Sequence, residues 1–175
     1  MIIDGEGSHL KEEQFKILKT MSEATNRMDL NMFAMKVNLN PNQTIQQIQE
    51  IAKEGFLQKI GSGYGMTEKG KAALKALTPV PEEMRFHFYF GINQPSDLTS
   101  KTPEEFYSVI KHVSVDSLEF HLYRSDFENW LKEACKEPEL ADKIGGVKAA
   151  GLKGEELRKE LLKVLDAKYG IQGLL

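Results

Sequence analysis

The stretch from Asn38 to Gly70 constrains the fold more than any other part of the chain. It is punctuated at every few residues by side chains with special backbone preferences. Asn38 accepts the left-handed conformation that ends a helix. Asn40-Pro41 starts another, since Asn caps free N–H groups and Pro fits the first turn. That second helix runs to about Glu54, with Ile45, Ile48, Ile51 and Ala52 expected inward. Gly55 ends it. Phe56 to Ile60 and Tyr64 to Met66 then read as two strands around a Gly61-Ser62-Gly63 tip. Thr67 is placed to cap a further helix carrying Ala72, Ala73, Leu74 and Leu77.

The residues before this stretch fit the same scheme. Lys11 to Ala24 carries Ile17, Leu18 and Met21 at helical spacing. Met28 and Leu30 suggest a short extended entry. Met32, Phe33, Ala34, Met35 and Val37 read as a short, heavily buried helix. Met28, Met32 and Met35 are expected to fill its core, because methionine suits irregular gaps.

Composition bounds the classes open to such a chain. Of 175 residues, 41% are hydrophobic and 28% charged, the balance of a globular protein. No apolar run spans a bilayer, so no membrane partner is expected. Met1 to Glu6 is acidic and lacks the apolar core of a secretory signal. Cys135 is the only cysteine, so neither a disulfide within the chain nor a cysteine zinc cluster is available. A reducing cytoplasm is the simplest location. Residues 1–80 carry 10 Lys/Arg against 9 Asp/Glu, and residues 81–175 carry 13 against 17. Neither half is basic, which argues against strong nucleic-acid binding.

Pro79 and Pro81 break the chain at residues 77–83. The expected organisation is a first domain over 1–78, a linker over 79–83 and a helical domain over 84–175. In the second half, Phe86, Phe88 and Phe90 alternate as in a strand, although so short a run also fits a buried helical turn. Thr102-Pro103-Glu104-Glu105 is a helix start with a capping box. Phe106, Val109, Ile110 and Val113 mark its buried face. Further helices are expected from Asp116 or Ser117, from Ser125-Asp126, over Glu139 to Ala150 and over Gly154 to Tyr169.

Taken together, Met28 to Gly70 resembles a winged helix-turn-helix domain of the prokaryotic transcription-regulator type. The resemblance extends over residues 10–77. It rests on the extended entry, the short helix with Ala34, the Asn38-Leu39-Asn40 turn, Glu54-Gly55-Phe56-Leu57, the glycine-tipped hairpin and Met66-Thr67-Glu68-Lys69-Gly70. The implied fold class is mainly α with a small β-hairpin wing, followed by a C-terminal helical domain. The resemblance implies that the helix from Pro41 enters the major groove of double-stranded DNA. Asn42, Gln43, Gln46 and Gln47 are then candidate base readers, since side-chain amides pair with adenine. Lys53 and Lys59 are candidate phosphate contacts, with Arg27, Lys36, Lys69 and Lys71 as further cations. The second reading of the glutamines is a polar, uncharged surface. Family members often place Arg or Lys near positions 46 and 47, and this chain does not. Weak DNA binding by a monomer is expected. The alternative is an adaptor that uses the same module to dock on a protein partner.

Residues 84–170 resemble an uncharacterised prokaryotic helical domain family of unknown function. Phe88-Tyr89-Phe90-Gly91-Ile92, Ser117 to Arg124, Ser125 to Leu131 and Glu139 to Ile144 carry that resemblance. His87, His121, Arg124 and Asp126 form the one chemically suggestive set, a possible ligand site. A histidine beside a carboxylate is half of a general-base arrangement, but no nucleophile accompanies it. No metal-binding motif appears, so no metal, cofactor or enzymatic activity is expected. The competing reading makes the histidines structural and Arg124–Asp126 a salt link. Cys135 reads as an inert thiol within a helix, and Phe127 and Trp130 as core. The leucine stripe of Gly154 to Tyr169 fits either closure of the second domain or pairing in a homodimer.

Overall fold

The computed structural model describes residues 10–174. The reading of Met1 to Glu6 lies outside the described residues. The described residues are mainly helical, with two small antiparallel hairpins among them, and divide between Lys75 and Ala76 into two compact units. The first also takes in Gln172–Leu174.

In the first unit, α1 (Glu12–Glu23), α2 (Leu30–Val37) and α3 (Pro41–Lys53) precede β1 (Leu57–Ile60), β2 (Gly63–Met66) and α4 (Glu68–Leu77), whose last two residues already belong to the second. Local chemistry sets each boundary. The Asp29 carboxylate accepts from Met32 N at 3.0 Å and starts α2. Asn38 ends it at φ 60°, ψ 41°. Asn40 and Gln43 form a reciprocal capping box at the start of α3. Ile17, Leu18, Ala34, Val37, Ile51, Phe56 and Leu57 make the core. Gln14 sits among them at 2% exposure, and its Nε2 donates to Gln47 Oε1 at 3.0 Å and Glu50 Oε2 at 3.3 Å. A buried amide costs stability unless bonded, and these bonds pin α1 to α3. Gly55, at φ 89°, turns the chain out of α3. Gly70 is fixed by close approach instead, since a Cβ there would lie 2.2 Å from Phe56 O. Thr67 caps α4, accepting from Gly70 N at 3.0 Å while donating to Gly55 O.

Two expectations for this unit are corrected. Met32 and Met35 are 54% and 80% exposed, Leu30 is 37% exposed, and Met28 is only half-buried. The Met cluster is therefore a surface feature; Phe33, Ala34 and Val37 take the inward face of α2. On α3, Ile45 is 39% exposed, and Thr44 beside it takes the fully buried position.

The second unit opens with a single 3₁₀ turn at Glu82–Met84, preceded by Val80 N donating to Lys101 O at 2.7 Å. Next come β3 (Phe86–Gly91) and β4 (Gln94–Ser100), paired antiparallel with bulges between His87 and Tyr89 and between Tyr89 and Gly91. Helices α5 (Pro103–His112), α6 (Val115–Tyr123), α7 (Asp126–Glu133), α8 (Pro138–Ala149) and α9 (Gly154–Tyr169) follow. Of the two readings open for Phe86 to Phe90, the strand is the one adopted, and its pairing with β4 adds a hairpin to the expected helical domain. Its inward aromatics join an edge-to-face cluster of Phe86, Phe88, Phe106, Phe127 and Trp130. Trp130 Nε1 donates to Met84 O at 2.8 Å, which satisfies its one donor.

Leu157, Leu161 and Leu165 of α9 are each fully buried. Of the two uses that fit this leucine stripe, closure of the second domain or pairing in a homodimer, closure is the one the stripe serves here. Arg158 braces the closure by donating to Ile110 O at 2.6 Å and Val113 O at 2.8 Å, which are carbonyls left free at the end of α5.

Candidate functional site

Two surfaces concentrate the residues that carry chemistry, one on each unit. The first is the outer face of α3. Asn42, Gln46, Gln49 and Lys53 are exposed along it, and Lys59 is exposed on β1. Arg27 donates through Nη2 to Ser62 Oγ at the tip of the β1–β2 hairpin. The amides expected to act together are split by their local bonds. Gln43 Oε1 accepts from Asn40 N at 3.2 Å and is engaged in the capping box. Gln46 Nε2 donates to Glu50 Oε1 at 3.3 Å on the surface. Gln47 is half-buried and bonded to Gln14, so it faces α1 and not solvent. Lys69 is also committed, donating to Glu54 O at 2.6 Å and lying 4.5 Å from the Phe56 ring centroid. Lys71 pairs with Glu68 at 2.9 Å.

The second surface is a cleft of about 430 Å³ in the second unit. His87, Tyr89, Phe120, His121, Arg124 and Asp126 line it, so all four of the residues singled out from sequence meet there. His121 is 3% exposed and spans two elements. Its Nε2 lies 2.8 Å from Tyr89 N, and its Nδ1 lies 2.8 Å from Asp126 Oδ2. A backbone N–H only donates, so Nε2 must accept, and the ring proton must sit on Nδ1 and point at Asp126. The imidazole is therefore neutral in this arrangement. Burial pulls its pKa below the ordinary 6.5, more strongly than the adjacent Asp126 raises it, and Arg124 adds to the lowering.

Ser117 completes the clamp, donating to Tyr89 O at 2.7 Å. Both backbone groups of one strand residue are thus satisfied by side chains of α6. Both His121 nitrogens are committed, which removes it as a general base or metal ligand. This is the structural role that sequence offered as the competing reading. Sequence reasoning did not identify the parts played by Tyr89 and Ser117. The signal was weak but present: Ser117 and His121 are four residues apart and so share a helix face.

Arg124 is more open. Its Nε contacts Asp126 Oδ2 at 3.3 Å, its guanidinium carbon lies 4.8 Å from the Phe120 ring centroid, and its side chain is 55% exposed. Two non-glycine residues near the cleft hold positive φ, Asn93 at 57° in the β3–β4 turn and Ser125 at 64° between Arg124 and Asp126. Ser125 in particular adopts a conformation that costs free energy, and such positions cluster where a site is held in place.

Cys135 lies just after α7, not within a helix as expected. Burial, and then the nearby Glu137, push its thiol up to about 12, away from the reactive thiolate form. Among the described residues, no group of three or more His, Cys, Asp or Glu is placed to hold a metal ion, and no helix is long and apolar enough to cross a membrane.

Residues 67–166 match the model of a family described as a family of unknown function, DUF5752; the match covers more than half of the chain. It begins at Thr67, the cap of α4, and runs into α9. No curated protein and no solved structure matches the chain.

Proposed function

The chain belongs to the DUF5752 family of unknown function, and from that premise we propose that it is a DNA-binding transcriptional regulator whose first unit is a winged helix-turn-helix module. The family match starts after α3 and the β1–β2 hairpin, so this reading rests on the geometry of those elements. The observation that carries it is the outer face of α3. Asn42 and Gln46 are exposed there on a helix that follows a tight turn at Asn38 and precedes a short hairpin. Exposed amides on such a helix suit adenine edges in the major groove. Lys53, Lys59 and Arg27 supply the few cations near that face.

The test is a salt series of full-length protein against a genomic DNA pool. Binding is expected to weaken as salt rises, because neutralised phosphates release counterions. Gln46→Ala is expected to flatten sequence preference while leaving non-specific affinity intact. Lys59→Ala is expected to weaken binding to every sequence and to make the salt slope shallower by about one unit. Gln47→Ala is expected to lower stability instead, since its amide is bonded to Gln14. No salt-sensitive binding at about 50 mM salt, where phosphate contacts are strong, overturns the reading.

One observation favours the adaptor reading. Met32 and Met35, three residues apart on one face of α2, are both exposed, and methionine-rich surfaces suit protein docking. Under that reading Met35→Glu abolishes partner capture, and the glutamine substitutions leave any DNA binding unchanged.

A further inference from the structure

We propose that the cleft beside Arg124 and Asp126 binds a free α-amino acid with an apolar side chain. The cleft lies wholly within the second unit, and the proposal is independent of DNA binding by the first.

The argument starts from how the two charged groups are held. His121 Nδ1 and Arg124 Nε both meet the same carboxylate oxygen, Asp126 Oδ2. Among the described residues no partner falls on Oδ1, although the carboxylate is 30% exposed. The His121 bond anchors Oδ2, and His121 is itself held by Tyr89 N. Arg124 is oriented in the same manner. Its Nε is taken by Asp126 and its guanidinium carbon lies 4.8 Å from the Phe120 ring centroid, while among the described residues no partner falls on its two Nη groups. That remaining edge carries parallel N–H donors with the spacing of a carboxylate.

The cleft thus offers a donor fork and a carboxylate oxygen two residues apart, on a backbone reversal held by Ser125. A ligand with one charge answers only half of this arrangement. A simple anion on Arg124 faces Asp126, and a simple cation on Asp126 faces Arg124. An α-amino acid carries both charges on neighbouring atoms. Its carboxylate meets the Arg124 fork and its ammonium donates to Asp126 Oδ1. Phe120, Tyr89 and the exposed Ile92 border the same cleft and provide an apolar wall for the side chain. A volume of about 430 Å³ accommodates a molecule of this size.

The test titrates full-length protein with L-phenylalanine and L-leucine, following backbone amide shifts by NMR. Saturable shifts centred on residues 89–93 and 120–126 are expected. N-acetyl-L-phenylalanine lacks the ammonium and L-phenylalanine amide lacks the carboxylate; each is expected to bind at least tenfold more weakly. Arg124→Gln, a largely exposed position, is expected to weaken L-phenylalanine at least tenfold while the thermal unfolding midpoint stays close to that of the parent protein. The proposal is overturned if neither amino acid binds at millimolar concentration, if both blocked forms bind as well as the parent, or if Arg124→Gln binds unchanged. Equal binding of the amide alone overturns the role of Arg124, and with it the proposal.

Discussion

Single residues carry the fold here mainly by satisfying backbone groups that secondary structure leaves open. His121 is the clearest case. It accepts from Tyr89 N while Ser117 donates to Tyr89 O, so α6 treats the edge of β3 as a second strand would. Protonating Nε2 replaces that acceptor by a donor aimed at another donor. The folded state therefore binds this proton less readily than the unfolded chain does, and its pKa is lowered. The unfolded state takes up more protons as pH falls below the ordinary value of 6.5, so stability is present above it and is lost on acidification. Urea denaturation is expected to show a lower midpoint at pH 5.5 than at pH 7.5. His121→Leu is expected to be less stable at both, by about 1–3 kcal/mol for the unmade bonds, and to have a weaker pH dependence over that window. An unchanged slope in the variant would assign the acid sensitivity to other groups. Gly70 gives a second prediction at this scale. A methyl group placed 2.2 Å from Phe56 O forces backbone to move, so Gly70→Ala is expected to lower the denaturation midpoint, at a cost of about 1–3 kcal/mol.

At the scale of elements, what the sequence made legible was governed by caps and helical periodicity. Asn38, Asn40-Pro41, Thr67 and Thr102-Pro103 each mark a boundary with a mechanism of their own, and helices begin or end there. The second strand of the second unit carried no such mark. Gln94 to Ser100 contains Pro95, Asp97 and two serines, a poor intrinsic strand. It pairs because the alternating aromatics of β3 need a hydrogen-bonded neighbour to stay in register over the core. The amide face of α3 is only partly legible for a related reason. Spacing groups Gln47 with Gln46, but a buried Gln14 on α1 requires partners, and no local pattern on α3 announces that demand. In the cleft of the second unit, His87, His121, Arg124 and Asp126 are visible as residue types, whereas the backbone of Tyr89 is not. The closure of α5 by α9 yields a testable consequence. Arg158 donates to two carbonyls at the end of α5, and hydrogen bonds from charged groups are worth about 1.5–3 kcal/mol each. Arg158→Ala is expected to destabilise measurably in urea. Arg158→Lys is expected to recover only part of the loss, because a single ammonium does not reproduce the planar fork.

For the molecule as a whole, the decisive fact is that α9 is internal to the second unit. Leu157, Leu161 and Leu165 lie in a core with Ile110, Leu118, Leu122, Phe127 and Leu131, all at 0% exposure. Removing residues 154–175 therefore exposes that core and cannot report on oligomeric state. Truncation of this kind tests folding, and the expectation can be stated for each unit. Residues 76–171 bury their own aromatic cluster and bring their own closing helix. Their backbone accounting is also local: Val80 bonds Lys101, Tyr89 bonds α6, and Arg158 bonds the end of α5. A fragment of residues 76–171 is expected to fold alone with a cooperative thermal transition and native-like dispersion of its amide resonances. The same fragment ended at Ala150 is expected to lose both, because at least three fully buried leucines, each worth about 1.5–3 kcal/mol on burial, leave the core together. A total stability of about 5–15 kcal/mol does not survive such a loss. Circular dichroism melts of the two fragments decide the matter. A cooperative transition in the shorter one would show that α9 packs on the surface of a domain already complete, and would return its leucines to the role of a docking stripe.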